Sequence, residues 1–292
     1  MTWFIPAKTF LVGEYVAING GPAIILTTQP SFELRPTSES GLHGIHPDSP
    51  AGRWFHAQPL SHIGLQWHDP YAGRGGLGAS SAQFLSVYHA VHEGYEKPYT
   101  MTDLIQDYQA VSWRGHGLKP SGYDVLAQSA YGCVYLNQRA IRARPFTWCF
   151  SDLAFILVHT QQKLATHHHL ESIALPDQLH TLENLVSDAH HAFQTQNSAQ
   201  LVDAVNAYHQ NLLGMRLVAK HTQHMMEQLQ GHSSILAMKG CGAMGSDLLC
   251  VLVASNDLSL VCHHIEQTFG MIIATSTDLA TQAIDRMNEK TF

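Results

Sequence analysis

The 292-residue chain is 45% hydrophobic and 13% charged, with a formal net charge of −7. That balance describes a compact globular protein of one large or two packed domains and excludes a disordered one. The acidic surplus leaves no basic face for nucleic acid, although a few placed Lys and Arg side chains suffice for a phosphorylated small molecule. No apolar run reaches the length of a membrane span, and Met1 to Pro6 lacks the basic-then-apolar pattern of a secretory signal. Five cysteines (Cys133, Cys149, Cys241, Cys250, Cys262) in apolar surroundings read as reduced thiols of a cytoplasmic protein.

Residues 3–36 read as β-rich. Short apolar runs at 10–12, 15–18 and 23–26 are broken by Gly13, Asn19-Gly20-Gly21 and Pro22, which is hairpin chemistry. Residues 37–70 are polar and rich in Gly, Pro and His, consistent with strands joined by surface loops. A helix is predicted over 80–93, with Phe84, Leu85, Tyr88 and Val91 on one face, and a second over 102–111, opening with a Thr cap and Asp103. After a loop at 113–120, residues 121–130 read as a helix closed by Gly132, and 133–136 as a strand.

A new unit begins near Phe150. It holds a buried strand at 153–158, helical stretches at 170–194 and 198–229, and strands at 235–238 and 248–253. A helix at 259–269 and a strand at 271–274 complete it. The order suggests an α+β sandwich with an antiparallel sheet. Of the 21 histidines, the run Thr166-His-His-His-Leu170 invites a zinc reading. Adjacent side chains on a helix diverge, so a solvated helix start capped by Thr166 is the better expectation.

The most informative stretch is Arg74-Gly-Gly-Leu-Gly-Ala-Ser-Ser-Ala82. Gly75, Gly76, Gly78 and Ala79, with Leu77 among them, let the backbone bend so that its N–H groups crowd around an anion. Ser80 and Ser81 then bring hydroxyls to a helix start, where unpaired donors and a partial positive charge make a phosphate seat. No Walker A string occurs, the third Gly of a dinucleotide fingerprint is missing, and the protein-kinase signatures are absent.

Two further stretches join it in order: Pro6-Ala-Lys-Thr-Phe-Leu-Val-Gly-Glu-Tyr-Val-Ala-Ile-Asn-Gly-Gly-Pro-Ala-Ile24 near the start, and Lys239-Gly-Cys-Gly-Ala-Met-Gly-Ser-Asp247 near the end. Together the three resemble the motifs of the GHMP small-molecule kinases, over nearly the whole chain. The resemblance implies a two-lobed fold. An N-terminal lobe like ribosomal protein S5 domain 2 (residues 1–149) precedes a ferredoxin-like lobe (150–292), with ATP between them. It implies that Gly75, Gly76, Leu77, Gly78, Ala79, Ser80 and Ser81 bind ATP, and that Ser80 is the hydroxyl linked to Mg²⁺, with Ser81 its nearest rival.

Ser121-Gly-Tyr-Asp124 resembles the family's S-G-x-D element, making Asp124 the acidic residue at the transfer site. Lys8 matches the motif-one lysine and would balance charge on the transferring phosphoryl group. Lys119, Ser121, Gly122, Gly242 and Ala243 are the expected substrate-side residues, and Arg74 and Lys163 are further cations on loops. Glu14 and Tyr15 are read as shaping a turn.

The third motif departs from the family's run of small residues. Cys241 replaces a hydroxyl residue, and Met244 and Ser246 replace glycines. Gly13-Glu-Tyr-Val16, the S-G-Y-D-V run and Asp247 resemble phosphomevalonate kinases, whereas the chain length suits bacterial or archaeal mevalonate kinases. The expected activity is therefore phosphorylation of 5-phosphomevalonate, with mevalonate as the alternative acceptor. The altered third motif motivates a second reading, a GHMP-fold binding protein without turnover. Members of the family are often homodimers, and no stretch of this sequence identifies an interface.

Overall fold

The computed structural model describes residues 1–59, 63–140, 142–162 and 179–281. Strand β1 (Trp3–Val12) runs antiparallel to β2 (Ala23–Thr37), with Lys8 opposite Thr27. The strand expected at 15–18 does not form; Val16–Asn19 is a 3-10 turn instead. Two glycines decide this. Gly13 at φ 106 turns the chain out of β1, and Gly20 at φ 71 ends the turn over the buried Val16 and Ala17. Both are backbone conformations that side chains with a Cβ avoid.

The 37–70 stretch supplies β3 (Gly41–His43), β4 (Gly64–His68) and, against expectation, the helix α1 (Pro50–His56). Its start signal is local: the Ser49 hydroxyl accepts from the Gly52 amide at 3.0 Å, and Pro50 fills the first helical position. Three helices follow near their expected places, α2 (Ala79–Gly94), α3 (Met101–Ser112) and α4 (Tyr123–Ala130). The cap of α3 is Thr100, which forms a capping box with Asp103. Strands β5 (Cys133–Asn137) and β6 (Arg142–Phe146) complete a sheet of order β3-β4-β2-β5-β6, with β1 also on β2.

The second sheet starts with β7 (Leu153–His159). Among the described residues, three helices follow, α5 (Leu179–Thr195), α6 (Ser198–Gly214) and α7 (Lys220–Leu229). The single helical stretch expected over 198–229 is thus two helices, because Arg216 takes φ 59 in the 215–219 link. Then come β8 (Ile235–Cys241), β9 (Leu248–Ala254), α8 (Leu258–Phe269) and β10 (Ile272–Thr275). The order β10-β7-β9-β8, all antiparallel, is the expected ferredoxin-like arrangement. Lys163, the 166–170 histidine run and the start of the helix expected at 170 lie outside the described residues.

One apolar cluster passes from the first sheet (Leu11, Phe32) through α5 and α6 (Leu182, Val205) to the second (Phe155, Leu252). Residue 150 falls in the 147–152 connection between β6 and β7. Among the described residues, no helix is long and apolar enough to cross a membrane.

Candidate active site

β1, paired with β2, carries Lys8, and the residue is only 8% exposed. Its ammonium meets the Asp124 carboxylate, Nζ to Oδ1, at 2.7 Å. Asp124 stands in the first turn of α4, which is capped by Gly122 at φ 76. The Lys8 side chain is 10% exposed and that of Asp124 34%, so the pair is walled in on the lysine side and open to solvent on the carboxylate side. Two residues 116 positions apart, singled out on separate motifs, therefore share one ion pair.

The glycine loop is fastened to this pair. The Lys8 amide donates to the Leu77 carbonyl at 3.0 Å. Gly78, at φ 76, lies so close that a Cβ there would sit 2.7 Å from Lys8 Cγ and 2.9 Å from Cε. Fully buried Gln128 of α4 ties the parts together, donating to the Pro6 carbonyl at 2.8 Å and to the Gly78 carbonyl at 3.2 Å. Gln128 had no place in the reading of the sequence, because its amide acts only once three elements meet.

At the start of α2 the two serines separate. Ser81 is buried and its hydroxyl donates back to the Gly78 carbonyl at 2.9 Å. Ser80 is exposed on the first turn, and no acidic side chain occupies that turn. The hydroxyl available to a ligand is thus that of Ser80, beside the unpaired N–H groups of a 16-residue helix.

The third motif is the turn from β8 to β9, and it reaches the glycine loop. A Cβ on Gly76 would lie 2.5 Å from Asp247 Cβ, and a Cβ on Gly242 would lie 2.5 Å from Asp247 Oδ2. Asp247, 4% exposed, is therefore wedged between the two loops. Ala243 opens a short 3-10 turn in which Met244, at φ 52, holds a left-handed conformation unusual for a side-chain-bearing residue. Its amide donates to Tyr15 Oη at 3.2 Å and its carbonyl accepts from the Ala219 amide at 2.8 Å. Ser246 is wholly buried, and its carbonyl is approached by the Thr160 hydroxyl and by His221 Nε2 at 2.9 Å. Cys241 is buried at the end of β8.

Ser121 and Gly122 adjoin Asp124, with the Ser121 hydroxyl accepting from the Tyr123 amide at 3.3 Å. Lys119 is an exposed side chain on the link before them. Arg74 is exposed on the glycine loop and near enough to His159 to help burial lower that imidazole's pKa.

Glu14 is more than a turn residue. Its carboxylate Oε1 pairs with the ammonium of Lys239, which is 0% exposed on β8. Burial pushes the Glu14 carboxyl above the ordinary carboxylate range against the pull of Lys239. Burial likewise disfavours the Lys239 ammonium, yet Cys241 and Glu14 beside it hold its pKa above the usual lysine value. A hint lay in the sequence, since Glu14 belongs to the first motif and Lys239 to the third, but nothing local pairs positions 225 apart.

No protein-family model and no curated protein sequence matches the chain. Solved structures do. The phosphomevalonate kinase of Streptococcus pneumoniae, in complex with phosphomevalonate and AMPPNP, superposes with a TM-score of 0.77 at 15% identity, over 94% of this chain and 99% of that one. The mevalonate kinase of Methanococcus jannaschii gives 0.74 at 13% identity, over 97% and 98%. The fold is that of the GHMP kinases. The galactokinase of Lactococcus lactis, complexed with galactose, shares it at 0.69 and 14% identity, over 96% and 92%. Identities this low speak for the fold alone; in this GHMP-fold chain the Lys8–Asp124 pair, the glycine loop and the third loop adjoin one another.

Proposed function

We propose that the chain is an ATP- and Mg²⁺-dependent small-molecule kinase of the GHMP type in the mevalonate pathway, with 5-phosphomevalonate as acceptor. The observation that carries this reading is the Lys8–Asp124 pair set against Gly78, at the foot of a helix whose first turn exposes Ser80. Lys8, held by Asp124 and by the loop, balances negative charge on the transferring phosphoryl group. Asp124 takes the proton from a hydroxyl acceptor, whereas a phosphate acceptor arrives already deprotonated and needs only to be oriented. Amides along Gly75–Ser81 hold the phosphates of ATP. The Ser80 hydroxyl fits a Mg²⁺ ion because it is exposed where that of Ser81 is engaged; once bound, the ion neutralises phosphate charge. Catalysis is then mostly positioning.

Lys119, Ser121, Gly122, Gly242 and Ala243 are assigned to the acceptor side, and the domain division to residues 149 and 150. All five cysteines are free, which supports a reducing, cytoplasmic setting. Mevalonate is the second acceptor reading, supported by a chain length that suits bacterial or archaeal mevalonate kinases. The test is ADP release from Mg-ATP with mevalonate and with 5-phosphomevalonate, side by side. Turnover only on the phosphorylated acceptor is expected. Turnover only on mevalonate transfers the assignment to that acceptor, and ATP binding with no turnover on either favours a binding protein.

A further inference from the structure

Two residues that the phosphoryl-transfer reading does not use lie between the sheets. Lys239 sits on β8, three residues before the third loop begins at Gly242, and is completely buried. Glu14 follows β1, the strand that carries Lys8, and its side chain is 9% exposed. Their ion pair joins the first sheet to the second. The Lys239 ammonium also donates to the Gly240 carbonyl at 3.0 Å and lies 5.8 Å from the ring centre of Tyr208 on α6. The second Glu14 oxygen, Oε2, is buried with no hydrogen-bond partner.

The next residue repeats the attachment. Tyr15 Oη accepts from the Met244 amide at 3.2 Å, so positions 14 and 15 hold both the strand entering the third loop and the loop itself. That loop in turn presses Asp247 against Gly76 of the phosphate loop. A path of contacts therefore runs from β1 through Glu14, Lys239 and the third loop back to the glycine loop beside Lys8. A buried ion pair is a poor source of stability, since apolar residues of similar size often do as well. What it supplies is one bonding geometry, and so one position of β8 relative to β1.

We propose that Glu14 and Lys239 are positioning residues for phosphoryl transfer, their ion pair fixing the third loop against the Lys8–Asp124 centre. This deepens the kinase reading and rests on it. Breaking the pair on one side leaves a buried unpaired charge, so Glu14→Gln and Lys239→Met alone lower the melting temperature. The double variant E14Q/K239M leaves no such charge and regains most of it. Its kcat nevertheless stays about tenfold or more below wild type, because small displacements at a transfer site carry large rate losses. Its KM for ATP changes less than its kcat. Lys239→Arg, which keeps the charge, recovers part of kcat relative to Lys239→Met.

Amide hydrogen exchange supplies a readout independent of turnover. The double variant is expected to lose protection across residues 242–247 while β7 and β9 keep theirs. A double variant that recovers melting temperature, kcat and loop protection together overturns the proposal, as does a Lys239→Met variant with wild-type kcat. If the wild-type protein turns over neither acceptor, the kinase reading fails. Unchanged exchange at 242–247 in the double variant then separately refutes the positioning role, and lost protection upholds the clamp.

Discussion

Replacing Gly78 with Ala tests whether the glycine loop really sets the position of Lys8. The backbone there has φ 76, a left-handed conformation that costs an L-residue about 1–2 kcal/mol. The new Cβ would also stand 2.7 Å from Lys8 Cγ and 2.9 Å from Cε, inside any real carbon contact. The lysine stem is the flexible partner, so it yields, and its ammonium leaves the 2.7 Å contact with Asp124. Gly73→Ala is the matched control: φ is 78, and nothing lies within 4 Å of the added carbon. Gly73→Ala should therefore lose about 1–2 kcal/mol, a drop of a few degrees in melting temperature, and Gly78→Ala at least as much. Only Gly78→Ala should also lose turnover, by the roughly 10²–10³-fold typical of removing one charge-stabilising donor. ADP release and thermal melts on the two variants make the comparison. Gly78→Ala with turnover equal to that of Gly73→Ala would refute the reasoning, since the strain would then have been absorbed without moving Lys8.

The serines at the helix start separate in the same way. Ser80→Ala should lower metal-dependent turnover by at least the roughly 10–100-fold typical of disturbing a metal's supporting groups. Ser81→Ala removes only a hydrogen bond to the Gly78 carbonyl and should cost about 1 kcal/mol of stability, read by denaturant titration. A larger loss of turnover in Ser81→Ala would reverse the metal assignment. His209, on α6, is pushed down to about 4 by burial and then by Lys239. A folded pKa below the ordinary imidazole value of about 6.5 means that the unfolded chain takes up the proton first, so stability falls as pH drops from about 6.5 towards 4. Between pH 7 and 5 that amounts to about 2 kcal/mol, and His209→Gln should flatten this part of the profile. Parallel pH profiles for wild type and variant would remove His209 as the cause.

The sequence carried its information where physics is local. The helix at 79–94 was legible from the spacing of Phe84, Leu85, Tyr88 and Val91, and the buried strands at 153–159 and 248–254 from their unbroken apolar runs. The 3-10 turn at Val16–Asn19 was not, because an apolar run of four residues fits a strand equally well until Gly13 and Gly20 take positive φ. α1 was hidden by the Gly, Pro and His around it, although Ser49-Pro50 is a legible start signal in hindsight. The break between α6 and α7 rests on Arg216, a residue type with no preference for its left-handed backbone.

At the site, Lys8 and Asp124 were chosen on separate motifs and meet in space. Ser80 was preferred to Ser81 on its motif position alone; their difference in burial, which no spacing encodes at adjacent positions, appears only in the fold. Gln128, and Glu14 with Lys239, were missed for one reason. Each acts through a partner more than a hundred residues away, and only the assembled sheets show the contact.

The measurement that tests the central claim most directly is Asp124→Asn. The substitution keeps the shape of the side chain but removes the charge that pairs with Lys8 and, for a hydroxyl acceptor, the base proposed to take its proton. The affinity for ATP, measured by calorimetry, should change little, because the loop and helix proposed to hold phosphate are untouched. Turnover in the ADP-release assay should fall by roughly 10²-fold or more, the loss expected when Lys8 and the acceptor are no longer held in place. Wild-type turnover in Asp124→Asn with intact ATP binding would contradict the account, and would place the chemistry away from the Lys8–Asp124 pair.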